Sequence, residues 1–192
     1  MLSVRRLTRE THVVASLALN GVSRAWTNTT VGFLDHLLAQ CASHAGFDLK
    51  VCCVGDVWVD WHHVAEDVGL VVGGLLARAA AHRRISRFAS AAVPMDEALA
   101  RCSLDVCGRG GLHLLMPSRF EAGAAPAVEL ALVMLDALAR GCDACLHVDV
   151  VRGRSAHHVA EAVFKALGVC WRGVFERAAP LSTKGTPLVL WR

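Results

Sequence analysis

The string His62-His63-Val64-Ala65-Glu66 returns as His157-His158-Val159-Ala160-Glu161. In a chain of 192 residues with ten histidines, that recurrence marks an internal repeat. If each string opens a helix, the glutamate stands four residues after the first histidine and three after the second, so all three reach neighbouring faces of one turn. Adjacent histidines diverge there by about 100°, and one pair can therefore serve two ions. Two such turns meeting across a pseudo-twofold axis present four imidazoles and two carboxylates, a nitrogen and oxygen set suited to Mn, Fe or Zn without thiols. A single His-His pair is as often an ordinary surface or core pair as a ligand; the duplication is what favours metal. The glutamates follow the histidines and do not lie between them, so the HExxH arrangement of a metalloprotease is absent.

The elements that must position these groups also repeat. Each string precedes an apolar, helix-like stretch, VGLVVGGLLARAAAH in one case and VFKALGVCWRGVF in the other. Each follows an alternating, strand-like segment, DVWVD before the first and CLHVDVV before the second. Further upstream lie helical patterns, FLDHLLAQCASH and AVELALVMLDALARG, and before them strand candidates, THVVASLALN with the turn Asn20-Gly21 and ARCSLDVCG with Gly108. The expected fold is α+β, a tandem repeat of two similar sheet-plus-helices halves, about 1–86 and 87–192, packed as one domain spanning 1–192. The boundary falls near Arg83 to Arg87, and Gly123 to Pro126 reads as a loop.

With 54% hydrophobic and 19% charged residues, the chain buries a sizeable core and is not disordered. No run of about 18 residues is apolar without a charge, so a membrane-spanning helix is not expected. The net charge of +3 is small and dispersed, which argues against nucleic acid as a partner and leaves anionic small molecules open. The first residues, MLSVRRLTRETHVV, lack the apolar segment of a secretory signal. Eight cysteines then read as reduced thiols, and the expected location is cytoplasmic. The pair Cys142 and Cys145 forms an isolated CxxC without a second pair to complete a zinc site, and reads as buried structural thiols.

Taken with Arg9-Glu10-Thr11, GFLDHLL from Gly32, His44 followed by GFDL, DWHHVAEDVG, RFASAAVPMDEALA, LDVCGR, HHVAEAVFKAL and STKG, the chain closely resembles the imidazoleglycerol-phosphate dehydratase family over nearly its whole length. The resemblance implies a hydro-lyase that converts imidazole glycerol phosphate to imidazole acetol phosphate in histidine biosynthesis. It implies two Mn2+ ions per active site, and a homo-oligomeric 24-subunit shell with sites between subunits. By position, His36, His63, His157 and Glu161 would hold one ion, and His62, Glu66 and His158 the other. Substrate contacts would fall on Gln40, His44, Arg87, Arg109, Lys165, Ser182, Thr183 and Lys184, and Glu10 would be the acid/base carboxylate. The chemistry agrees: removing a weakly acidic C–H proton and expelling hydroxyl calls for a positioned carboxylate and a Lewis acid, and a phosphate dianion calls for cationic and hydroxyl donors.

The sequence departs from the family at one metal position. The repeat counterpart of His36 is Val133, or Ala137 if Met134-Leu135-Asp136 matches Phe33-Leu34-Asp35, and neither is a ligand. Trp61, Gly110 and Ala89 replace an aspartate, a proline and a glycine usual at those places. These changes keep a second reading open, a catalytically impaired metal-binding assembly subunit of the same fold.

Overall fold

The computed structural model describes residues 1–117 and 126–176. Its first half runs β1 (Leu2–Leu7), β2 (Thr11–Ala18), β3 (Ala25–Asn28), α1 (Gly32–Ala45), β4 (Asp48–Gly55) and α2 (His62–Ala81). The second runs β5 (Phe88–Met95), β6 (Ala98–Asp105), β7 (Gly111–Leu115), α3 (Pro126–Gly141), β8 (Cys145–Arg152) and α4 (Ala156–Glu176). Each half builds a four-stranded sheet of the same order, β1-β2-β4-β3 and β5-β6-β8-β7. In both, the last pairing is parallel and is crossed by a helix, α1 or α3. The α+β tandem repeat expected from the strings is the observed architecture.

The pairing register fixes which positions correspond. Val13 faces Cys53 and Leu17 faces Leu49, as Ala100 faces Val150 and Leu104 faces Leu146. The same residues alternate inward, so β2 and β6 share one burial pattern and cover the core with Val13, Ala15 and Leu17 or with Ala100, Cys102 and Leu104. Helix ends correspond as well. The N–H of Phe47 donates to the carbonyl of Ala42 just after α1, and the N–H of Ala144 donates to that of Ala139 just after α3. Gly46 closes α1 at φ +78°, where glycine is unstrained, and Asp143 takes its place at φ +51°, a conformation aspartate tolerates. Ala42 therefore matches Ala139, and His36 matches Val133; the shifted register to Ala137 does not hold, because Ala137 is buried against Gly69 of α2.

Two local expectations are corrected. The segment Asp56 to Asp60 is a turn and not a strand: β4 ends at Gly55, the N–H of Val59 bonds back to the carbonyl of Asp56, and Val57, Trp58 and Val59 stand exposed. Pro126 is the first residue of α3, where its missing N–H costs nothing, while the rest of the expected loop, Gly123 to Ala125, lies outside the described residues.

The helices pair across the halves. α2 lies on β1 and β2 yet packs most closely on α3, and α4 lies on β5 and β6 yet packs on α1. Glycines permit these approaches. A Cβ on Gly73 would stand 2.5 Å from the Leu138 carbonyl oxygen, one on Gly69 2.7 Å from the Met134 carbonyl oxygen, and one on Gly168 2.4 Å from the Cys41 carbonyl oxygen. These are backbone contacts that no rotamer change relieves. Gly74, next along α2, has nothing within 4 Å. In chemical denaturation, Gly168→Ala is expected to lower stability by about 1 to 3 kcal/mol, because forced separation of α1 and α4 outweighs the better helix propensity. Gly74→Ala is expected to raise it by about 0.5 to 1 kcal/mol; equal effects at the two positions would contradict the close-packing account.

Candidate metal and phosphate site

Because α1 packs on α4, His36 of the first half meets the second HHVAE string. His36 Nε2 lies 3.0 Å from Glu161 Oε1, and His157 Nε2 lies 2.8 Å from the same oxygen. One donor atom from each of the three side chains falls within 4.8 Å of the others, the one such convergence of His, Cys, Asp or Glu among the described residues. Glu161 is buried, and its other oxygen accepts from Lys165 Nζ at 2.7 Å. Burial alone would push this carboxyl up, but hydrogen bonds from Lys165, His36 and His157 outweigh it and hold the pKa at about 2. A carboxylate ionised near neutrality, between two imidazoles, is a fitting donor set for a divalent ion. Lys165, expected as a substrate contact, is thus held on Glu161, with its Nζ also 3.0 Å from Met95 Sδ.

The second histidine of each string turns the other way, as the helical geometry requires. The rings of His62 and His63 stand at 85° to one another, and those of His157 and His158 at 82°. His63 Nδ1 donates to Asp56 at 3.0 Å, and His158 Nδ1 donates to Glu97 at 2.7 Å. Those bonds raise the pKa of both imidazoles and direct each Nε2 outward, the usual way a carboxylate orients a ligating histidine. Glu97 is itself fixed by the N–H groups of Ser155 and Arg154, which with His158 keep its carboxyl well below the ordinary range. His63 is therefore not among the three-donor group of its own chain. Its Nε2 lies 3.8 Å from Glu10 Oε1.

Glu10 sits on the β1–β2 turn, and that turn is clamped from below. The buried Asp67, next after the first HHVAE, accepts from Arg6 Nε at 2.8 Å and from the hydroxyls of Thr8 and Thr11. The Thr8 hydroxyl in turn accepts from the Glu10 N–H, and the Glu10 carbonyl accepts from the Asp56 N–H. The acid/base candidate is thereby tied to the helix that carries His63.

Of the remaining candidates, His62 is exposed and stacks beside Trp61, and Glu66 accepts from Arg140 at 2.8 Å. His44 Nδ1 bonds the carbonyl of Gln40 at 2.8 Å on α1. Arg87 is held in a fork by Asp105, Nε to Oδ1 at 2.6 Å and Nη2 to Oδ2 at 2.9 Å, over the Phe88 ring. Arg109 is exposed in the following loop, near enough to Asp105 to help lower its pKa. Ser182, Thr183 and Lys184 lie outside the described residues. Of the CxxC, Cys142 is buried with its thiol pushed up to about 12, but Cys145 is only half-buried and its sulfur lies 3.8 Å from Cys107. Asp56, Glu97, Asp105 and Arg140 were not picked out from the sequence; Glu97, which takes in the second half the place of Glu10, was open to detection once the repeat was aligned strand by strand.

Fold and donor set together define a tandem-repeat α+β protein with an imidazole and carboxylate cluster between its halves. The chain belongs to the imidazoleglycerol-phosphate dehydratase family, whose model matches residues 29–171. An imidazoleglycerol-phosphate dehydratase from Thermoanaerobacter sp. (strain X514) is 42% identical over 86% of this chain and 86% of its own length. Another, from Phytophthora nicotianae, is 39% identical over 98% of this chain, which spans only 42% of that longer relative. The crystal structure of IGPD from Pyrococcus furiosus superposes with a TM-score of 0.82 at 31% identity, covering 96% of this chain and 100% of that one. The family is one of hydro-lyases and implies a place in histidine biosynthesis.

The Arg87–Asp105 fork gives a pH test. Hydrogen bonding from Arg87, opposed by burial, leaves the Asp105 pKa below its ordinary value of about 3.9. A depressed carboxyl contributes stability in full above that ordinary value and loses it as pH falls through the folded pKa. Asp105→Asn should therefore unfold at lower denaturant than the parent at pH 5 to 8, with the gap closing below about pH 4. A gap that is unchanged down to pH 2 would remove the ion pair as its cause.

Proposed function

We propose that this chain is a manganese-dependent lyase that dehydrates imidazole glycerol phosphate to imidazole acetol phosphate. The convergence of His36, His157 and Glu161 on one point carries the reading. The set fits a divalent ion such as Mn2+, which supplies Lewis-acid stabilisation of charge developing on the substrate ring. His36, His157 and Glu161 would hold it, and the tether of His63 to Asp56 keeps that imidazole oriented as a further donor. Glu10, clamped by the Asp67 network and beside His63, is placed to take the weakly acidic C–H proton and to return one to the departing hydroxyl. Arg87 and Arg109, kept together around Asp105, bind the phosphate dianion, with Ser182, Thr183 and Lys184 completing that site.

Two features support a homo-oligomer, of 24 copies by family resemblance. The chain's own His63 does not join the three-donor group, so a second copy's His63 is the natural fourth ligand. Large apolar side chains stand exposed, Trp58, Val59, Val54 and Leu115 among them, as on a surface that assembly covers. No described helix is long and apolar enough to cross a membrane; a cytoplasmic setting fits a biosynthetic enzyme of this kind. The competing reading, an impaired metal-binding assembly subunit, rests on Val133 standing where the repeat calls for histidine.

Dehydration of imidazole glycerol phosphate, followed across a Mn2+ titration on the assembled protein, separates the two. Metal-dependent turnover supports the lyase; assembled, metal-loaded protein without turnover supports the impaired subunit. Glu10→Gln is expected to lower turnover by at least about 100-fold while leaving the sedimentation of the assembly unchanged. An unaltered rate would remove Glu10 from the mechanism.

A further inference from the structure

The two halves place their metal-ligating groups by the same rule, and the second half breaks it twice. In the first cross-half contact, α1 on α4, the triplet is His36, His157 and Glu161. In the second, α3 on α2, the corresponding triplet is Val133, His62 and Glu66. An isopropyl group thus stands where an imidazole donor should. The carboxylate is also occupied differently. Glu66 Oε1 accepts from Arg140 Nη2 at 2.8 Å, and Arg140 Nε donates to Asp136 Oδ2 at 2.9 Å. The positions matching Arg140 and Asp136 in α1 are Ser43 and Ala39, which carry no charge. The Arg140–Glu66 pair therefore belongs to the α2–α3 contact and has no counterpart from α1 at the α1–α4 contact.

We infer that this chain binds one divalent ion at the His36 position, and that the Arg140 guanidinium occupies the charge-neutralising role of the ion at the second, repeat-related position. The inference rests on the reading of the His36 cluster as a metal site. Its physical basis is that a guanidinium does not give up its proton near neutrality, so an incoming dication must compete with Arg140 for Glu66 against like-charge repulsion. It must do so with one imidazole fewer to bind it. A carboxylate already paired on one oxygen with a fixed cation, in a triplet whose third member is apolar, is a poor ligand for a second one. Lys165 does not play this part in the first cross-half contact: it lies on the same helix as Glu161, takes Oε2 and leaves Oε1 to the imidazoles, whereas Arg140 reaches Glu66 from the facing helix.

The test is a metal count on the assembled, full-length protein dialysed against micromolar Mn2+, with bound manganese measured per chain by elemental analysis and by its electron paramagnetic resonance signal. One manganese per chain is expected, lost in His36→Ala and kept in His62→Ala. Two per chain would overturn the inference and leave the metal reading intact, whereas none would overturn the metal reading itself. Retention in His36→Ala with loss in His62→Ala would also overturn it, by placing the ion at the wrong position. The double variant Val133→His with Arg140→Ser restores the missing donor and removes the competing charge, and is expected to bind two per chain. A correctly assembled double variant still holding one would show that Val133 and Arg140 are not what bars the second ion.

Discussion

The close crossing of α1 with α4, and of α2 with α3, is the contact on which the arrangement depends. Neither half contains a complete donor set. The first half carries His36 but needs the second string for His157 and Glu161. A helix pair separated by ordinary side chains would hold the imidazole of His36 too far from Glu161 for the 3.0 Å contact. Gly168 brings the backbone of α4 against the Cys41 carbonyl, and Gly69 and Gly73 do the same between α2 and α3. Small residues at a crossing are worth little as packing and much as geometry, because a displacement of about an ångström at a site of this kind costs most of its function.

Around that crossing, carboxylates do different work according to what they face. Glu161 is a donor because hydrogen bonds from Lys165, His36 and His157 keep it ionised against the opposing effect of burial. Asp56 and Glu97 orient: each accepts a hydrogen bond from Nδ1 of a second-place histidine and leaves Nε2 directed outward. Asp67 bonds no candidate ligand at all, yet it ties Arg6, Thr8 and Thr11 into one network and so fixes the turn bearing Glu10. The repeat counterpart of Asp67 is Ala162, which is fully buried without a polar group. Pseudo-symmetry in the backbone therefore coexists with a polar clamp on one side only, on the side that carries Glu10.

The fold was legible in the sequence because the repeat is written in chemistry as well as in periodicity. His62 to Glu66 and His157 to Glu161 mark the start of equivalent helices, and β2 and β6 alternate in step. What sequence reading missed was decided by tertiary contact. The alternation in Asp56 to Asp60 imitates a strand, but β4 has already ended at Gly55, where a Cβ would meet Val64 at 2.6 Å, and the chain turns there to enter α2. Asp56, Glu97, Asp105 and Arg140 are ordinary charged residues in any linear pattern. Only the turn into α2, the hairpins and the helix crossings give them their partners, some far along the chain, as with Arg140 and Glu66.

Position 133 shows how the two levels inform each other. A helical pattern tolerates a shift of register, and Val133 and Ala137 both satisfied the apolar face of α3. The backbone bonds after α1 and α3 remove that freedom, because Phe47 and Ala144 make the same contact to Ala42 and Ala139. Once Val133 is fixed as the partner of His36, the pairing of Glu66 with Arg140 has a consequence beyond surface charge. An exposed ion pair of this kind contributes little to stability on its own. Its effect is on occupancy: the one carboxylate of that triplet is already bound to a cation that cannot be titrated away, so the asymmetry between the halves is electrostatic as well as steric.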